Sequence, residues 1–435
     1  MTPSRLSALD AAFLAIESEH APMHVGWAAL FQPPPDRPAP SFEQIREHIE
    51  QRLHRAPRYR QRLAAVPLGL DDPVWIDDAR FDVARHVRRS DHEDFGELVD
   101  EVMSTPLSHD RALWELWIAD ALPDGRIGVV GKAHHCLVDG LAAVELMALL
   151  LDVTPDPEPG ASAAESAAGW VPRAVPTAAA LAGDAISHQA ANAIALARVP
   201  LRWMRDPRTI AEVPAVAWRV AQAVVHTAQP LARPSRLNGA MSSMRHLAWH
   251  SRPLEDLRII KRRFGTTVND ILLSASAGAL RALHVEDAEQ PHDVKAMVPV
   301  SVQAPDAEWG NRIAFMFLEL PCAEADPVWR LREIHVAMRE RKREGEPQGA
   351  DAVLEALSFA PRRVRRLASK LLASPRLSNL TISNIPGPNV PLYLMGCEVE
   401  RAIPIVPLTD GQGISIGLTT IHERACFGFF AQAEL

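Results

Sequence analysis

The chain has 435 residues, of which 47% are hydrophobic and 23% are charged, the composition of a soluble globular protein with room for two domains. Its formal net charge is −8, which argues against a dedicated nucleic-acid binder. The four cysteines are scattered without a CxxC pair, at Cys136, Cys322, Cys397 and Cys426. Neither a zinc site nor a disulfide framework is therefore expected, and reduced thiols in a cytoplasm fit best.

The sequence predicts no targeting or membrane-spanning segment. The first residues lack the apolar stretch of a signal peptide and run directly into an acidic, patterned region. No run of about 18 apolar residues occurs, so a transmembrane helix is not expected. Any membrane contact is expected to be peripheral.

Residues 1–153 form a first block in which helical and strand patterns alternate. Apolar residues at helical spacing predict helices, and aliphatic runs bounded by turn residues predict strands. The predicted elements are a helix over Leu6–Glu17, a strand over His24–Phe31, a helix over Phe42–His54, strands over Trp114–Ala121 and Ile127–His134, and a buried helix over Leu141–Leu151.

Residues 154–237 form a second region of different composition. Thr154–Gly169 is rich in Pro, Ala, Glu and Ser, which is typical of a linker. Trp170–Arg236 has eight Arg and three acidic residues, a local charge of +5, and its seven prolines predict several short helices. Two compatible interpretations remain open: a packed crossover anchored by Trp203 and Trp218, or a basic surface for anionic lipid.

Residues 238–435 form a third block that again mixes strands and helices. The predicted helices are Pro253–Phe264, Thr266–His284 and Pro327–Lys342, and the predicted strands are Val294–Val302, Arg312–Leu320, Leu380–Ser383, Gly413–Ile421 and Cys426–Ala433. The order of elements predicts an α/β fold with mixed sheets in two domains, joined by the helical crossover.

The most informative motif is His134–Gly140, which reads HHxxxDG at the predicted end of a strand. Successive residues of a strand point in opposite directions, so only one of His134 and His135 can face a reacting atom. Imidazole titrates near neutral pH and suits a general base, and His135 is the candidate. Asp139 would orient the loop, and Gly140 lets the chain turn. Two core histidines with a helix-capping aspartate, or much less favourably a metal site, are the alternatives.

Further segments resemble one family across nearly the whole chain. HHxxxDG is the signature of the CoA-dependent acyltransferase superfamily, and the surrounding segments are similar to the bacterial wax ester synthase/diacylglycerol acyltransferase family. These segments are Leu9–Leu14, Glu17, Pro22–Gly26, Leu113–Glu115, Arg236–Gly239, Val268–Leu273, Pro299–Val302, Gly310–Asn311 and Ser383–Pro388. The chain departs from the family at Ala112, where proline is usual, and at Gln303, where arginine often stands.

The resemblance implies two chloramphenicol-acetyltransferase-like domains with an active-site channel at their interface. It implies transfer of a long-chain acyl group from acyl-CoA to diacylglycerol, a fatty alcohol or both, at a cytoplasmic membrane or lipid-inclusion surface. No metal or bound cofactor is expected, since acyl-CoA is a substrate. The candidate catalytic residues are His135, Asp139, His134 and Asn269, and the candidate substrate-binding residues are Glu17, Gly140, Ser383 and Asn384.

Several of these residues have simpler interpretations that the sequence leaves open. Asn269, an oxyanion donor candidate, also suits a helix cap, and Ser383 with Asn384 also suits a Pro-Gly turn. Glu17 also suits a solvated helix end, and Cys136 is expected to be a small buried residue. For the whole chain, the alternatives are a condensation-type enzyme using carrier-bound thioesters and an inactive lipid-droplet protein.

Overall fold

The computed structural model describes residues 4–138, 150–156, 170–205, 231–302, 312–344, 349, 353, 360 and 362–435. For 195–205, 301–302 and 312–313 it describes the backbone only. Most of the predicted helix at Leu141–Leu151 and of the linker at Thr154–Gly169 lies outside the described residues.

The described chain contains fifteen strands and eight α-helices. The strands are β1 Ser4–Arg5, β2 His24–Gln32, β3 Gln61–Ala64, β4 Val74–Asp77, β5 Val87–Arg89, β6 Trp114–Ala119, β7 Ile127–His134, β8 Arg245–Pro253, β9 Val294–Val302, β10 Arg312–Leu320, β11 Leu380–Pro386, β12 Tyr393–Leu394, β13 Cys397–Ile405, β14 Ile414–Ile421 and β15 Arg424–Gln432. The helices are α1 Ala8–Ile16, α2 Phe42–Arg52, α3 Phe95–Ser104, α4 Ala178–Arg205, α5 Leu254–Phe264, α6 Val268–Glu286, α7 Pro327–Arg343 and α8 Arg362–Leu372.

A six-stranded sheet in the order β12-β13-β2-β7-β6-β5 carries the histidine motif. Its central strand β7 is buried along all eight residues, as its aliphatic sequence predicts. In the antiparallel pair of β2 and β7, Trp27 lies opposite Gly131 and His24 lies opposite His134. A Cβ on Gly131 would stand 2.5 Å from the Trp27 ring, so glycine is what lets this indole cover the strand.

A second six-stranded sheet has the order β10-β9-β11-β14-β15-β8. Its centre is parallel, since β11 pairs in parallel with both β9 and β14. Helices α6 and α7 pack on each other beside this sheet. A separate three-stranded sheet has the order β1-β4-β3. The expected mixed α/β fold with two sheet-rich domains is confirmed.

The two large sheets are tied together by a strand from the last part of the chain. β13 pairs antiparallel with β2, so residues 393–405 complete the sheet that begins in the first block. An apolar cluster joins both sheets at this point, with Leu30 and Ile403 from one and Leu247 and Phe430 from the other. The predicted domain boundaries at 153 and 237 stay a prediction. The sequence did not indicate that β13, from the last block, would pair with β2 of the first block.

The prediction of several short, proline-broken helices was wrong for residues 178–205. This segment is the single 28-residue helix α4, with Pro200 inside it. The prolines at 172 and 176 precede the helix, where they do no damage, and Thr177 accepts a hydrogen bond from the Ala180 N–H at its start. One proline removes one backbone hydrogen bond, and the alanine-rich flanks have the highest helix propensity. None of the described helices is both long and apolar enough to cross a bilayer.

Candidate active site

His134, the first histidine of the motif, is the last residue of β7 and is fully buried. Its Nδ1 accepts a hydrogen bond of 3.0 Å from the Cys136 backbone N–H. A neutral ring that accepts at Nδ1 carries its proton on Nε2. Burial lowers the pKa of His134 to about 4, so the ring is neutral at physiological pH.

His135 points away from this environment and is only partly buried. Its backbone N–H donates to the Met23 carbonyl at 2.9 Å, which continues the β2–β7 ladder past the strand end. Its ring stacks on Phe13 of α1, with 3.6 Å between centroids and 18° between planes. Met23, with φ of 49°, adopts the left-handed region that a non-glycine residue seldom enters. The two histidines therefore have different surroundings, and the ring of Phe13 holds His135 by stacking on it.

Glu17 brings α1 to the histidine pair. It is the C-cap residue of α1, and its carboxylate lies between two imidazoles. Oε1 accepts from His109 Nε2 at 2.9 Å, and Oε2 lies 3.7 Å from His134 Nε2. This hydrogen bond raises the pKa of His109. Glu17 is therefore an engaged carboxylate of the site, and not a solvated helix end.

A second buried layer lies behind His134. Lys132, also on β7, is fully buried and donates to the carbonyls of Val102 and Thr105, both at 2.7 Å. Burial lowers the pKa of Lys132 to about 8. His24 accepts a hydrogen bond of 3.2 Å from the Leu107 N–H. Burial is the main cause that lowers the pKa of His24, and the positive charge of Lys132 lowers it further. These contacts fix the loop after α3, which is the loop that carries His109.

The remaining candidates lie on the second sheet and its helices. Asn269 is the second residue of α6, but Thr267 and Asp270 form the capping box there. The cap role that the sequence allowed for Asn269 is thus taken by its neighbours. Ser383 and Asn384 belong to β11, which runs on to Pro386 instead of ending at Ser383, so they do not form the turn.

Asn384 carries a sign of an incomplete site. Its Oδ1 is buried, and no described residue donates a hydrogen bond to it. Buried acceptors of this kind are uncommon and call for a partner. Asp139 and Gly140, the other two motif residues, lie outside the described residues.

Two side chains of the site were not predicted from the sequence. His109 lies 25 residues before His134 in a loop without a motif, and only the fold brings their rings to 6.0 Å. Phe13 was assigned to the apolar face of a helix, which is correct, but its role under the His135 ring was not foreseen. An aromatic residue four positions before Glu17 was the available signal.

Comparisons with known proteins assign the chain to a family. Residues 6–272 match the wax ester synthase/diacylglycerol acyltransferase catalytic domain. Residues 309–435 match the WS/DGAT C-terminal domain. Together the two matches cover most of the chain.

Relatives and solved structures agree with this assignment. A Mycobacterium bovis protein named as a diacylglycerol O-acyltransferase is 31% identical over 439 residues, which are 96% of this chain and 92% of the relative. A Mycobacterium tuberculosis protein of the same description is 28% identical over 448 residues, 99% of this chain and 86% of the relative.

Among solved structures, the wax ester synthase/diacylglycerol acyltransferase from Marinobacter aquaeolei VT8 is similar with a TM-score of 0.66 and 25% identity, covering 100% of this chain and 94% of that one. The first condensation domain of the CDA synthetase, at a TM-score of 0.56, 16% identity and coverage of 100% and 91%, shares the fold alone. The chain therefore belongs to the wax ester synthase/diacylglycerol acyltransferase family and is an acyltransferase.

Proposed function

We propose that the protein transfers a long-chain acyl group from acyl-CoA to the hydroxyl of diacylglycerol, a fatty alcohol or both. The observation that carries the proposal is the split of the histidine pair: His134 is buried and neutral, whereas His135 is partly exposed and held by Phe13. Diacylglycerol and wax alcohols as acceptors come from the names of the relatives and of the Marinobacter structure.

His135 acts as the general base in this proposal. It takes the proton of the acceptor hydroxyl as the oxygen attacks the thioester carbonyl, and the tetrahedral intermediate then breaks its C–S bond. The imidazolium returns the proton to the departing CoA thiolate, so that the ring is neutral again after one turnover. A positioned base of this kind contributes about 10²- to 10⁴-fold to the rate.

Direct transfer fits better than a covalent enzyme intermediate. Cys136, the thiol nearest the histidines in sequence, is buried, and burial raises its pKa well above the usual value. The thiolate is the nucleophilic form, so this cysteine is inert. The role of Cys136 is instead the backbone N–H that it donates to His134.

The other candidate residues complete the proposal. Asp139 orients the loop of the motif, and Gly140 allows its turn. Asn269 donates to the developing oxyanion. Ser383 and Asn384 line the side of the acceptor alcohol, where Oδ1 of Asn384 would accept a hydrogen bond from the alcohol hydroxyl. Such a contact would satisfy an acceptor that the protein leaves open.

Helix α8 supports a peripheral contact with a lipid surface, which is also part of the proposal. Val364, Leu367 and Leu371 are 49%, 61% and 59% exposed along one stripe. An exposed basic stripe of Arg363, Arg366 and Lys370 runs beside it at the same i, i+3, i+7 spacing. Flotation with vesicles of anionic phospholipid tests this, because Leu367→Ser should reduce the bound fraction without changing activity on a water-soluble short-chain substrate. Unchanged flotation would contradict the role of α8.

The basic surface that the sequence analysis considered, around Trp203 and Trp218, has side chains outside the described residues.

The decisive experiment combines one variant with one competition. Purified protein is given labelled palmitoyl-CoA with diacylglycerol and hexadecanol together, and both products are quantified. His135→Ala should lose about 10²- to 10⁴-fold in kcat with an unchanged melting temperature. His250→Ala, a change at an exposed histidine of β8, is the matched control.

Each other outcome points to a defined alternative. Near wild-type turnover in a folded His135→Ala protein would rule out His135 as the general base. Turnover only with carrier-bound thioesters would favour a condensation-type enzyme. Substrate binding without any product would favour an inactive lipid-droplet protein.

A further inference from the structure

The C-terminal end of α6 carries a cluster of side chains that the acyl transfer does not use. His284 lies in the last turn of the helix, and Glu289 and His292 lie in the loop that leads to β9. One ligand atom from each of the three lies within 4.8 Å of the other two. The cluster therefore offers two imidazole nitrogens and one carboxylate at a single point.

The buried histidine of this cluster is without polar partners. His284 is 1% exposed, and neither of its ring nitrogens makes a hydrogen bond within the described part of the chain. It stacks on His292, with 4.3 Å between centroids and 24° between planes, and Nε2 of His292 is buried without a hydrogen bond as well. Nδ1 of His292 donates to the Gln290 carbonyl at 3.3 Å, so its Nε2 carries the free in-plane lone pair. Native proteins seldom bury polar atoms in this state, and a bound ion or ordered water is the usual partner.

The spacing of the three ligand atoms is close to that of a zinc site. Zinc–ligand distances of about 2.0–2.1 Å in a tetrahedron place neighbouring ligand atoms about 3.4 Å apart. Closing from at most 4.8 Å requires movements of about 1.4 Å or less. Glu289 is exposed and lies in a loop, so it can supply much of this movement, and the ion can enter from its side.

The charges around the cluster leave its carboxylate available. Asp287 is paired with Arg236, so it is already neutralised. Among the described residues, Glu289 has no ion-pair partner. Imidazole and carboxylate together suit zinc and its neighbours in the first transition row, whereas magnesium and calcium prefer oxygen ligands alone.

We propose that His284, Glu289 and His292 bind one divalent transition-metal ion of the zinc type, with water in the remaining position. The ion fastens the end of α6 to the start of β9. Fifteen residues of helix separate His284 from Asn269, a distance of about 22 Å. The site is therefore remote from Asn269, the proposed oxyanion donor of the acyl transfer. No sequence motif indicates this cluster, because the His-x4-Glu-x2-His spacing crosses a helix end and matches no regular period.

The test uses tag-free, full-length protein that has been stripped with EDTA and then titrated with zinc chloride by calorimetry. One saturable zinc ion per chain is expected, together with a higher melting temperature in zinc than in EDTA. His292→Phe keeps a ring in the stack but removes the ligand, and Glu289→Gln removes the charge. Each should weaken zinc binding at least about tenfold. His250→Phe and Glu286→Gln are the matched controls and should bind as wild type does.

Spectroscopy with cobalt gives a second readout. Cobalt(II) in a tetrahedral site absorbs strongly in the visible region, and His292→Phe should abolish this absorption while far-ultraviolet circular dichroism stays unchanged. Wild-type protein that takes up no saturable zinc would overturn the proposal. Equal binding in His292→Phe, Glu289→Gln and their controls would also overturn it, because the ion would then be bound elsewhere.

Discussion

Replacing His134 by asparagine should change how the stability of the protein depends on pH. The Oδ1 of asparagine can take the place of Nδ1 and accept the Cys136 N–H, so the local hydrogen bond survives. The titrating ring is lost, however. The variant therefore separates the structural contact of this residue from its protonation.

The magnitude follows from the pKa of the buried ring. Burial lowers the pKa of His134 from 6.5 to about 4, and each pH unit corresponds to about 1.4 kcal/mol. Between pH 6.5 and 4 the unfolded chain binds this proton and the native state does not, so stability is lost as the pH falls through that window. The full loss is about 3 kcal/mol, most of which is expressed at pH 4.5. His134→Asn should escape this loss.

The assay is urea unfolding of wild type and His134→Asn at pH 7.5 and pH 4.5. The free energy of unfolding should fall by about 2–3 kcal/mol more in the wild type than in the variant. His250→Asn, at an exposed position of β8, controls for the loss of a histidine as such. An equal fall of the unfolding free energy in wild type and His134→Asn would refute the reasoning, because His134 could then not be a buried ring that stays neutral in the native state.

Two further predictions concern the contacts of the site. Phe13→Leu keeps an apolar side chain but removes the ring that stacks on His135. The stack contributes about 1 kcal/mol to holding the imidazole in place, so kcat should fall about fivefold with little change in melting temperature. An unchanged kcat would show that the stack does not position the base. Glu17→Gln removes the charge that faces His109, so the pKa of His109 should fall towards its ordinary value in an NMR titration, and an unmoved titration would contradict the Glu17–His109 contact.

Local patterns predicted those elements whose sequence is decisive by itself. The strands at 127–134, 294–302 and 312–320 were predicted to the residue, because short apolar runs that are bounded by turn residues favour strands. The helix predicted at 266–284 begins at Val268, since Thr267 is its cap. Capping thus decides this helix boundary. The boundary of β11 moved from Ser383 to Pro386 for another reason, because this strand pairs with β14 along that length.

Other elements are defined by distant partners and had no local signal. β13 mixes charged residues with Pro404, and what makes it a strand is its pairing with β2, more than 350 residues earlier in the chain. β8 lies at the edge of its sheet and exposes every second residue from His246 to Arg252, so only Arg245 and Leu247 are deeply buried. Tertiary pairing overrides local propensity in both cases.

The candidate site could be predicted only where a local pattern determines it. A period of two predicts that adjacent residues of a strand differ in environment, and His134 and His135 do differ. The proximity of Glu17 and His109 depends on how α1 and the loop after α3 cross the end of β7. No spacing in the sequence encodes such a crossing, so His109 could be found only in the folded chain.

The strand order also bears on how the family's two parts relate. The catalytic-domain match ends at residue 272, whereas β13 lies at 397–405, within the C-terminal match. Yet β13 is separated from β7 by β2 alone. Without β13, the backbone edge of β2 would be unpaired, and the strand that carries the histidines would lie one strand from a sheet edge. The two matched segments are therefore parts of one hydrogen-bonded unit, and the histidine pair depends on residues from both.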